Sequence, residues 1–213
     1  MYAEGRGVPQ DEAEAVKWLH LAAEQGRADA QLGLGRMYAE GRGVLQDEAE
    51  ASKWFAEAAK SLPRAADQGN DFAQSNLGFM YAQGRGVPQD DAEAVKWYRL
   101  AAEQGNADAQ YNLGDMYAEG RGVPQDEAEA VKWYRCAAEQ GDAGAQYNLG
   151  AMYAEGRGVP QGDAEALKWY RLAAKQGNAN AEANLGHMYA DGRGVPQDDT
   201  CLLYTSPSPR DRS

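Results

Sequence analysis

Apolar and polar positions alternate along this chain with the period of an α-helix, and the pattern returns about every 36 residues. In segment 94–103, one helical stripe holds Ala94, Val95, Tyr98, Ala101 and Ala102. In segment 107–118, a matching stripe holds Ala109, Leu113, Met116 and Tyr117. A joint rich in glycine separates the two kinds of segment. The pattern therefore predicts a repeating pair of amphipathic helices, which we name helix A (the 107–118 kind) and helix B (the 94–103 kind).

Turn and capping residues mark where these helices begin and end. Asn106 is a predicted N-cap for helix A, and Gly120 follows its last residue. After the joint, Asp126 and Glu129 have the spacing of a capping box at the start of helix B, which Pro124 helps to position. Helix B is predicted to end at residues 140–141, Gln-Gly.

The repeat divides the chain into units too small to bury their own apolar faces, which is typical of a solenoid. Tryptophans at Trp18, Trp54, Trp97, Trp133 and Trp169 are separated by 36, 43, 36 and 36 residues, and all five are predicted to lie in the core. The predicted array comprises a half unit at 1–26, whole units at 27–69, 70–105, 106–141 and 142–177, and a half unit at 178–199.

The unit 27–69 carries seven more residues than the others, around Ser61 to Asp67. Seven residues are nearly two helical turns, so a continuous helix would keep the same buried face. Pro63, however, removes the hydrogen bond to Ala59 and crowds that turn. We expect a kink, or a break in which Ser61 caps a short new helix.

Both ends depart from whole units. Met1 aligns with the methionine that stands near the end of each helix A, just before the joint. The sequence therefore starts within a repeat. An unpaired helix B at one end and an unpaired helix A at the other predict head-to-tail self-association.

Residues 200–213 leave the pattern, and 201–211 resemble a translated sequencing adapter. We expect a non-native disordered tail there; a natural Ser/Pro-rich tail is the alternative.

Charge and composition exclude several classes of partner. The formal net charge of -12 argues against nucleic acid and anionic membrane surfaces, which both attract clustered Lys and Arg. No apolar run approaches the roughly 18 residues of a membrane span. Outside the tail the only cysteine is Cys136, so neither a disulfide framework nor a thiolate metal site is predicted. The cellular compartment stays open.

Between Leu113 and Gly141 the chain reads Leu-Gly-x-Met-Tyr-x-x-Gly-x-Gly-Val, then Asp-x-x-x-Ala, then Trp-Tyr-x-x-Ala-Ala-x-Gln-Gly. These motifs resemble the Sel-one-like repeat, a relative of the tetratricopeptide repeat, over residues 1 to about 199. The resemblance implies an all-α, right-handed α/α superhelical solenoid whose members serve as adaptors for multiprotein complexes. One branch of the family is secreted, has a disulfide in each unit and is linked to penicillin binding. This sequence lacks those cysteines.

No motif supplies catalytic or cofactor chemistry. In the joint Gly-Arg-Gly-Val-Pro-Gln, Gln125 stands where a dinucleotide fingerprint needs a third glycine, and the joint follows a helix rather than a strand. We expect its glycines to supply positive φ and Arg121 to cap helix A carbonyls or pair with an acid. Cys136 stands where other units have leucine, and no nucleophile has a positioned base. We predict a protein that is not an enzyme and binds no cofactor or metal.

Three positions of helix A differ between units while the joints and core repeat. They read Asp29, Phe72, Asp108, Gly144, Asn180, then Leu32, Ser75, Tyr111, Tyr147, Ala183, then Arg36, Phe79, Asp115, Ala151, His187. Their spacing puts them on one helix face, opposite the core stripe. The alternative is that these positions differ between units only because exposed residues are free to vary. Exposed lysines such as Lys96, however, do not vary between units. Phe72 and Phe79 could also pack beneath Leu62.

These observations favour an interaction scaffold that binds a peptide or partner protein on helix A, which the resemblance places on the concave side. The candidate partner-binding residues are Arg36, Phe72, Phe79, Tyr111, Asp115 and Tyr147. Phe79, Tyr111 and Tyr147 would be apolar anchors, and Arg36 and Asp115 would set polarity and register. A structural spacer within a larger multidomain protein is the alternative, and a penicillin-interacting, hydrolase-like repeat protein is a third reading.

Overall fold

The computed structural model describes residues 11–194, which form ten α-helices and no strand. The helices are α1 Glu12–Glu24, α2 Ala28–Glu40, α3 Glu48–Asp67, α4 Asp71–Gln83, α5 Asp91–Glu103, α6 Ala107–Glu119, α7 Glu127–Glu139, α8 Ala143–Glu155, α9 Asp163–Lys175 and α10 Ala179–Ala190. The even-numbered helices are the predicted A helices, and the odd-numbered ones are the B helices. The predicted tail 200–213 lies outside the described residues.

Each helix packs mainly against the helices before and after it in sequence. The most extensive contacts join an A helix to the B helix that follows it across a joint, and each B helix also packs on the next A helix. The predicted stripes are buried: Ala94, Tyr98, Ala109, Leu113 and Met116 are each exposed by 2% or less. These contacts confirm the all-α, helix-loop-helix solenoid.

The predicted caps are confirmed with one change. Asn106 Oδ1 accepts the Ala109 N–H at 2.9 Å, and Gly120 follows α6 with a φ of 70°. Asp126 Oδ1 accepts the N–H groups of Ala128 and Glu129, both at 3.0 Å. The reciprocal half of the capping box is not formed, because the Asp126 N–H donates to the Tyr117 carbonyl at 3.0 Å.

A glycine in the middle of each described A helix from α2 to α8 gives an aromatic ring room to pack. A Cβ atom on Gly114 would lie 2.7 Å from the Tyr134 ring, and one on Gly78 would lie 2.5 Å from the Tyr98 ring. A glycine inside a helix costs about 1 kcal/mol relative to alanine, whereas burying a large side chain contributes about 1.5–3 kcal/mol. Ring burial therefore outweighs the helix penalty.

The joints hold successive units together. Gly122 has a φ of +67°, and an added Cβ would collide with the Asp91 carbonyl at the start of the preceding B helix. Arg121 Nη2 donates to Asp91 Oδ1 at 2.9 Å and to the Ala82 carbonyl at 3.2 Å. The acid partner and the positive φ expected at the joint are confirmed. The carbonyl that Arg121 caps, however, belongs to the preceding A helix and not to the A helix that ends just before Arg121. Equivalent ion pairs join Arg42 to Glu12, Arg85 to Glu48, Arg157 to Glu127 and Arg193 to Asp163.

A buried glutamine bridges three helices in each unit. Gln110, 5% exposed, donates from Nε2 to the Ala102 carbonyl at the end of α5, at 3.0 Å. Its Oε1 accepts a hydrogen bond from Gln140, which follows α7, at 2.7 Å. Gln74 and Gln146 make the same pair of contacts in their units. Each glutamine therefore ties its own A helix to the B helices on both sides.

Of the two outcomes predicted at Pro63, the break is wrong, since α3 runs without interruption from Glu48 to Asp67, and the kink stays a prediction. The seven extra residues lengthen the helix, and Leu62 and Ala66 are 2% and 1% exposed in the same cluster as the rest of its buried face. This burial offsets a proline penalty of about 3 kcal/mol. Ser61 does not cap a new helix; its hydroxyl contacts the Ala58 carbonyl at 3.2 Å and Gln31 Oε1 at 3.4 Å.

The tryptophans fill the space between units, with one exception. Trp54 and Trp169 are 8% and 6% exposed, and Trp97 and Trp133 pack partly buried against the cluster of the preceding helix pair. Trp18 is 55% exposed, so its predicted place in the core is wrong for the described residues. The physical reason is that α1 is the first described helix, and no described helix pair precedes it.

We expect Gly122→Ala to destabilise the array much more than Gly141→Ala. Both positions have positive φ, which costs alanine about 1–2 kcal/mol, but Gly141 faces open space whereas Gly122 lies against the Asp91 carbonyl. Urea unfolding followed by circular dichroism should give a loss of about 1–2 kcal/mol for Gly141→Ala and about 3 kcal/mol or more for Gly122→Ala. Equal losses would contradict close approach at the joint.

We expect Gln110→Ala to lower the free energy of unfolding by about 1–3 kcal/mol, because the buried Ala102 carbonyl loses its side-chain donor. Gln83→Ala is the matched control, since Gln83 is an exposed residue at the end of α4. The control should change stability by less than about 0.5 kcal/mol. The same urea titration measures both, and an unchanged midpoint for Gln110→Ala would refute the bridging role.

Candidate partner-binding site on the A helices

A pocket of about 350 Å³ opens on the A helices α2, α4 and α6. Its lining comprises Arg36, Phe72, Ser75, Asn76, Phe79, Asn106, Asp108, Tyr111 and Asn112. Four of the six candidate residues predicted from the sequence therefore lie around one opening. We name it the first A-face pocket.

The apolar part of this pocket consists of three aromatic rings. Phe72 is 50% exposed, whereas Phe79 is half-buried against the cluster that includes Leu62. The alternative that both phenylalanines pack beneath Leu62 thus holds in part for Phe79 and fails for Phe72. Tyr111 is half-buried and lies 6.1 Å, centroid to centroid, from Tyr134. An exposed ring beside two supported ones offers a contact surface for an apolar side chain.

A cation is held over this aromatic wall. The Arg36 guanidinium lies 4.9 Å from the centroid of Phe79, and its Nη2 donates to Asn76 Oδ1 at 3.2 Å. Asn76 is fixed in turn, since its Nδ2 donates to the Phe72 carbonyl at 2.8 Å. Within residues 11–194, Arg36 forms no ion pair with a carboxylate. Its charge is therefore available to a carboxylate of a ligand.

Asp115 lies one unit further along, in a second cavity of about 210 Å³. Its Oδ1 accepts hydrogen bonds from the Tyr134 hydroxyl at 2.6 Å and from Asn148 Nδ2 at 3.3 Å. Burial raises the pKa of the Asp115 carboxyl above its usual range. Burial, with the charge of Asp115 second, raises the pKa of Tyr111 to about 12. We name this cavity the second A-face pocket.

Tyr147 belongs to neither pocket lining, and its ring is tilted against Tyr170 at a centroid distance of 5.8 Å. The structure thus brings together Arg36, Phe72, Phe79 and Tyr111, places Asp115 next to them, and leaves Tyr147 beyond. Their role in binding stays a prediction.

The variable positions are not all exposed, contrary to the sequence prediction. Leu32 and Ser75, at the middle position, are 2% and 8% exposed. Leu32 is buried because it packs in the cluster that contains Phe55 and Ala58, which belong to the following B helix. Part of the variation between units therefore reflects packing rather than partner contact.

The constant lysines have a structural explanation. Lys132 Nζ lies 3.1 Å from Glu129 and 5.1 Å from the centroid of the Trp133 ring. Lys53 and Lys168 make the same two contacts in their units. These contacts restrain the lysines. Their constancy is therefore no argument against the alternative that the variable positions of helix A differ between units because nothing restrains them.

Sequence reasoning missed the asparagines that line this face. Asn76, Asn112 and Asn148 follow the variable middle position and hold backbone carbonyls or the Asp115 carboxylate. The signal was the repeated Asn-Leu-Gly triplet, whose asparagine stands just before the first residue of the Sel-one-like motif. A polar residue that repeats next to a variable position therefore indicates a helix face whose polar groups are held in fixed orientations by hydrogen bonds.

Other chemistry is sparse in the described part of the chain. Across residues 11–194 no group of three or more His, Cys, Asp or Glu side chains is arranged to hold a metal ion. Cys136 is a half-buried free thiol on a B helix. No described helix combines the length and apolar character needed to cross a bilayer.

The fold and its faces define a class of protein, the α-solenoid built from helix pairs. The chain belongs to the Sel1 repeat family, whose model matches residues 1–26, 28–61, 71–106, 107–142, 143–178 and 179–200. Sel1 repeat proteins are generally scaffolds for protein interaction, and the family is a repeat scaffold rather than a catalytic fold.

Solved structures agree with this assignment. A Sel1 repeat protein from Oxalobacter formigenes is 42% identical, with a TM-score of 0.69 over 93% of this chain and 79% of the other. A protective antigen of uropathogenic Escherichia coli that displays an SLR fold is 44% identical, with a TM-score of 0.65 over 92% of this chain. This chain spans 41% of the length of that antigen.

A more distant structure shares the fold alone. Cysteine-rich protein B of Helicobacter pylori is 22% identical, with a TM-score of 0.51 over 63% of this chain and 96% of the other. No match was found among curated protein sequences.

Proposed function

We propose that this chain is a non-enzymatic interaction scaffold that binds a peptide or partner protein on the face formed by its A helices. The observation that carries the proposal is the first A-face pocket, in which the 50% exposed Phe72 lies beside Phe79 and Tyr111. A large exposed ring next to supported rings is typical of an interface hot spot. The sequence resemblance implies that this face is the concave side, and that assignment is part of the proposal.

Each side chain has a distinct part in the proposed contact. Phe72 and Tyr111 would enclose an apolar side chain of the partner. Arg36 is positioned by Asn76 and Phe79 and has no ion pair in the described part of the chain, so its guanidinium would donate hydrogen bonds to a carboxylate of the partner. Tyr147 would extend the apolar surface by one unit.

The arrangement suits an extended segment better than a small molecule. Successive A helices contact one another side by side on this face, through Arg36 to Asn76 and through Asp115 to Asn148. A ligand that crosses several units therefore meets a row of oriented polar groups separated by apolar ones. Such a row selects a sequence rather than a single functional group.

A spacer within a longer protein is a second candidate, because this chain spans only 41% of the length of the E. coli antigen. A spacer would need no ligand on either face. A penicillin-interacting, hydrolase-like role has no support from the described residues, in which Cys136 is half-buried without a base placed against it.

We expect Phe72→Ala to weaken peptide binding about 10- to 100-fold, the usual range for loss of an aromatic hot spot. Peptides would be selected from a displayed random library against the native chain and measured by fluorescence polarisation. Leu100→Ala is the matched control, since Leu100 is 46% exposed but lies on a B helix. The control should leave affinity unchanged.

A library that yields no specific peptide would favour the spacer. Peptides that bind Phe72→Ala as tightly as the native chain, or that are lost only with Leu100→Ala, would place binding elsewhere. Because Phe72 is half exposed, circular dichroism should show unchanged helicity for its alanine variant, which separates loss of contact from loss of fold.

Head-to-tail self-association also stays a prediction. Trp18 and Leu21 on α1 are 55% and 51% exposed, and Tyr189 on α10 is 50% exposed, so both terminal described helices present apolar surface. Sedimentation velocity at rising concentration should show larger species that Trp18→Glu abolishes. A single monomeric species at high concentration would contradict the prediction.

A further inference from the structure

The second A-face pocket, about 210 Å³, is built around a carboxylate rather than an aromatic ring. Three helices contribute to it: Asp115 from α6, Tyr134 from α7 and Asn148 from α8. It opens one unit beyond the first A-face pocket, at the helix position that Arg36 and Phe79 occupy in their own units. Any segment bound across the A helices would therefore pass it.

Three side chains hydrogen-bond this carboxylate. The Tyr134 hydroxyl and Asn148 Nδ2 both donate to Oδ1, at 2.6 and 3.3 Å. The Tyr111 hydroxyl is a third partner of the carboxylate. A carboxylate offers about four acceptor positions, so it retains capacity for one more donor while these three side chains fix its orientation.

The charges around the pocket favour a cation. No cation of the described residues forms an ion pair with Asp115, and an unpaired half-buried carboxylate is costly to desolvate. Glu119 also lines the pocket, one helical turn away; its side chain is 60% exposed, and its carboxylate lies 3.6 Å from Arg121 Nη1. Arg157 also lines the pocket, but its guanidinium is held by Glu127 at 2.9 Å and by Glu155 at 3.3 Å.

From this geometry we propose that the second A-face pocket receives a lysine or arginine side chain of the bound segment, with the Asp115 carboxylate as its acceptor. The inference rests on the proposed function, and it adds a sequence requirement to it. The bound segment would carry an apolar residue for the first pocket and a basic residue one unit away. Arg36, at the other end of the first pocket, would select an acidic group, so the charge order of the segment sets its direction.

The burial of Asp115 supports this assignment. Burial raises the pKa of its carboxyl, so the ionised form is destabilised when nothing binds there. A cation that enters the pocket restores favourable pairing for that form. Exposed ion pairs contribute little, whereas a pair that forms in a partly desolvated pocket discriminates strongly between charged and neutral partners.

The test uses Asp115→Asn, which removes the charge and keeps an acceptor oxygen for Tyr134 and Asn148. The probes are the tightest peptides selected from the random library on the native chain, each paired with a synthetic analogue in which its basic residue becomes norleucine. We expect the peptide to bind Asp115→Asn about tenfold or more weakly, and the analogue to bind both proteins equally. Asp67→Asn is the matched control, because Asp67 is an exposed carboxylate at the end of the B helix α3 and lines neither pocket.

Each outcome decides between the two proposals. Selected peptides without a required basic residue, or equal binding to Asp115→Asn, overturn this inference while loss with Phe72→Ala preserves the proposed function. Binding that survives both substitutions overturns both, as does a library that yields no peptide. If Asp115→Asn loses helicity, Glu119→Gln takes its place, since the exposed Glu119 side chain can lose its charge without disturbing the core. We then expect a smaller loss, about twofold to fivefold, confined to peptides with the basic residue.

Discussion

The buried glutamine of the A helices α2, α4, α6 and α8 is the contact on which the array depends. Gln110 caps the last turn of the preceding B helix through Ala102 and receives Gln140 from its own B helix, at 3.0 and 2.7 Å. A buried amide that makes these bonds fixes the relative positions of three helices at once, because any slip leaves a polar group unsatisfied. Apolar packing alone would tolerate such slips. The glutamine therefore specifies the stacking geometry that the alanine-rich surfaces only permit.

This arrangement separates structural residues from those free to differ. The inner stripes, the joint arginines and the tryptophans other than Trp18 are engaged between units, so their identities repeat along the chain. On the A face, the side chain of Phe72 is half exposed, and a change there does not disturb the stack. A face of this kind can acquire a sequence-specific surface on a fixed frame, which is how repeat scaffolds present long binding surfaces.

Much of the fold could be predicted from periodicity and capping residues, because helix stripes and caps are local properties. The helical course of the seven-residue insertion could not be predicted in the same way. Whether Pro63 breaks the helix depends on how much apolar surface Leu62 and Ala66 bury on either side of it. The roles of Gly114 and Gln110 were also missed, although both residues repeat and a glycine is unfavourable inside a helix. Their reasons lie in the Tyr134 ring and the Ala102 carbonyl, which approach only after the helices pack. The pocket residues were found by comparing units, but burial of Leu32 shows that such variation also records packing.

The central claim, that ligands bind the A helices rather than the B helices, is tested most directly by nuclear magnetic resonance mapping. Backbone amide shifts of the native chain would be recorded free and saturated with a library-selected peptide. The account predicts that the largest changes fall on α2, α4 and α6 around the first A-face pocket, and that the outward faces of α5 and α7 change little. Changes concentrated on the B helices, or spread evenly over the chain, would contradict it.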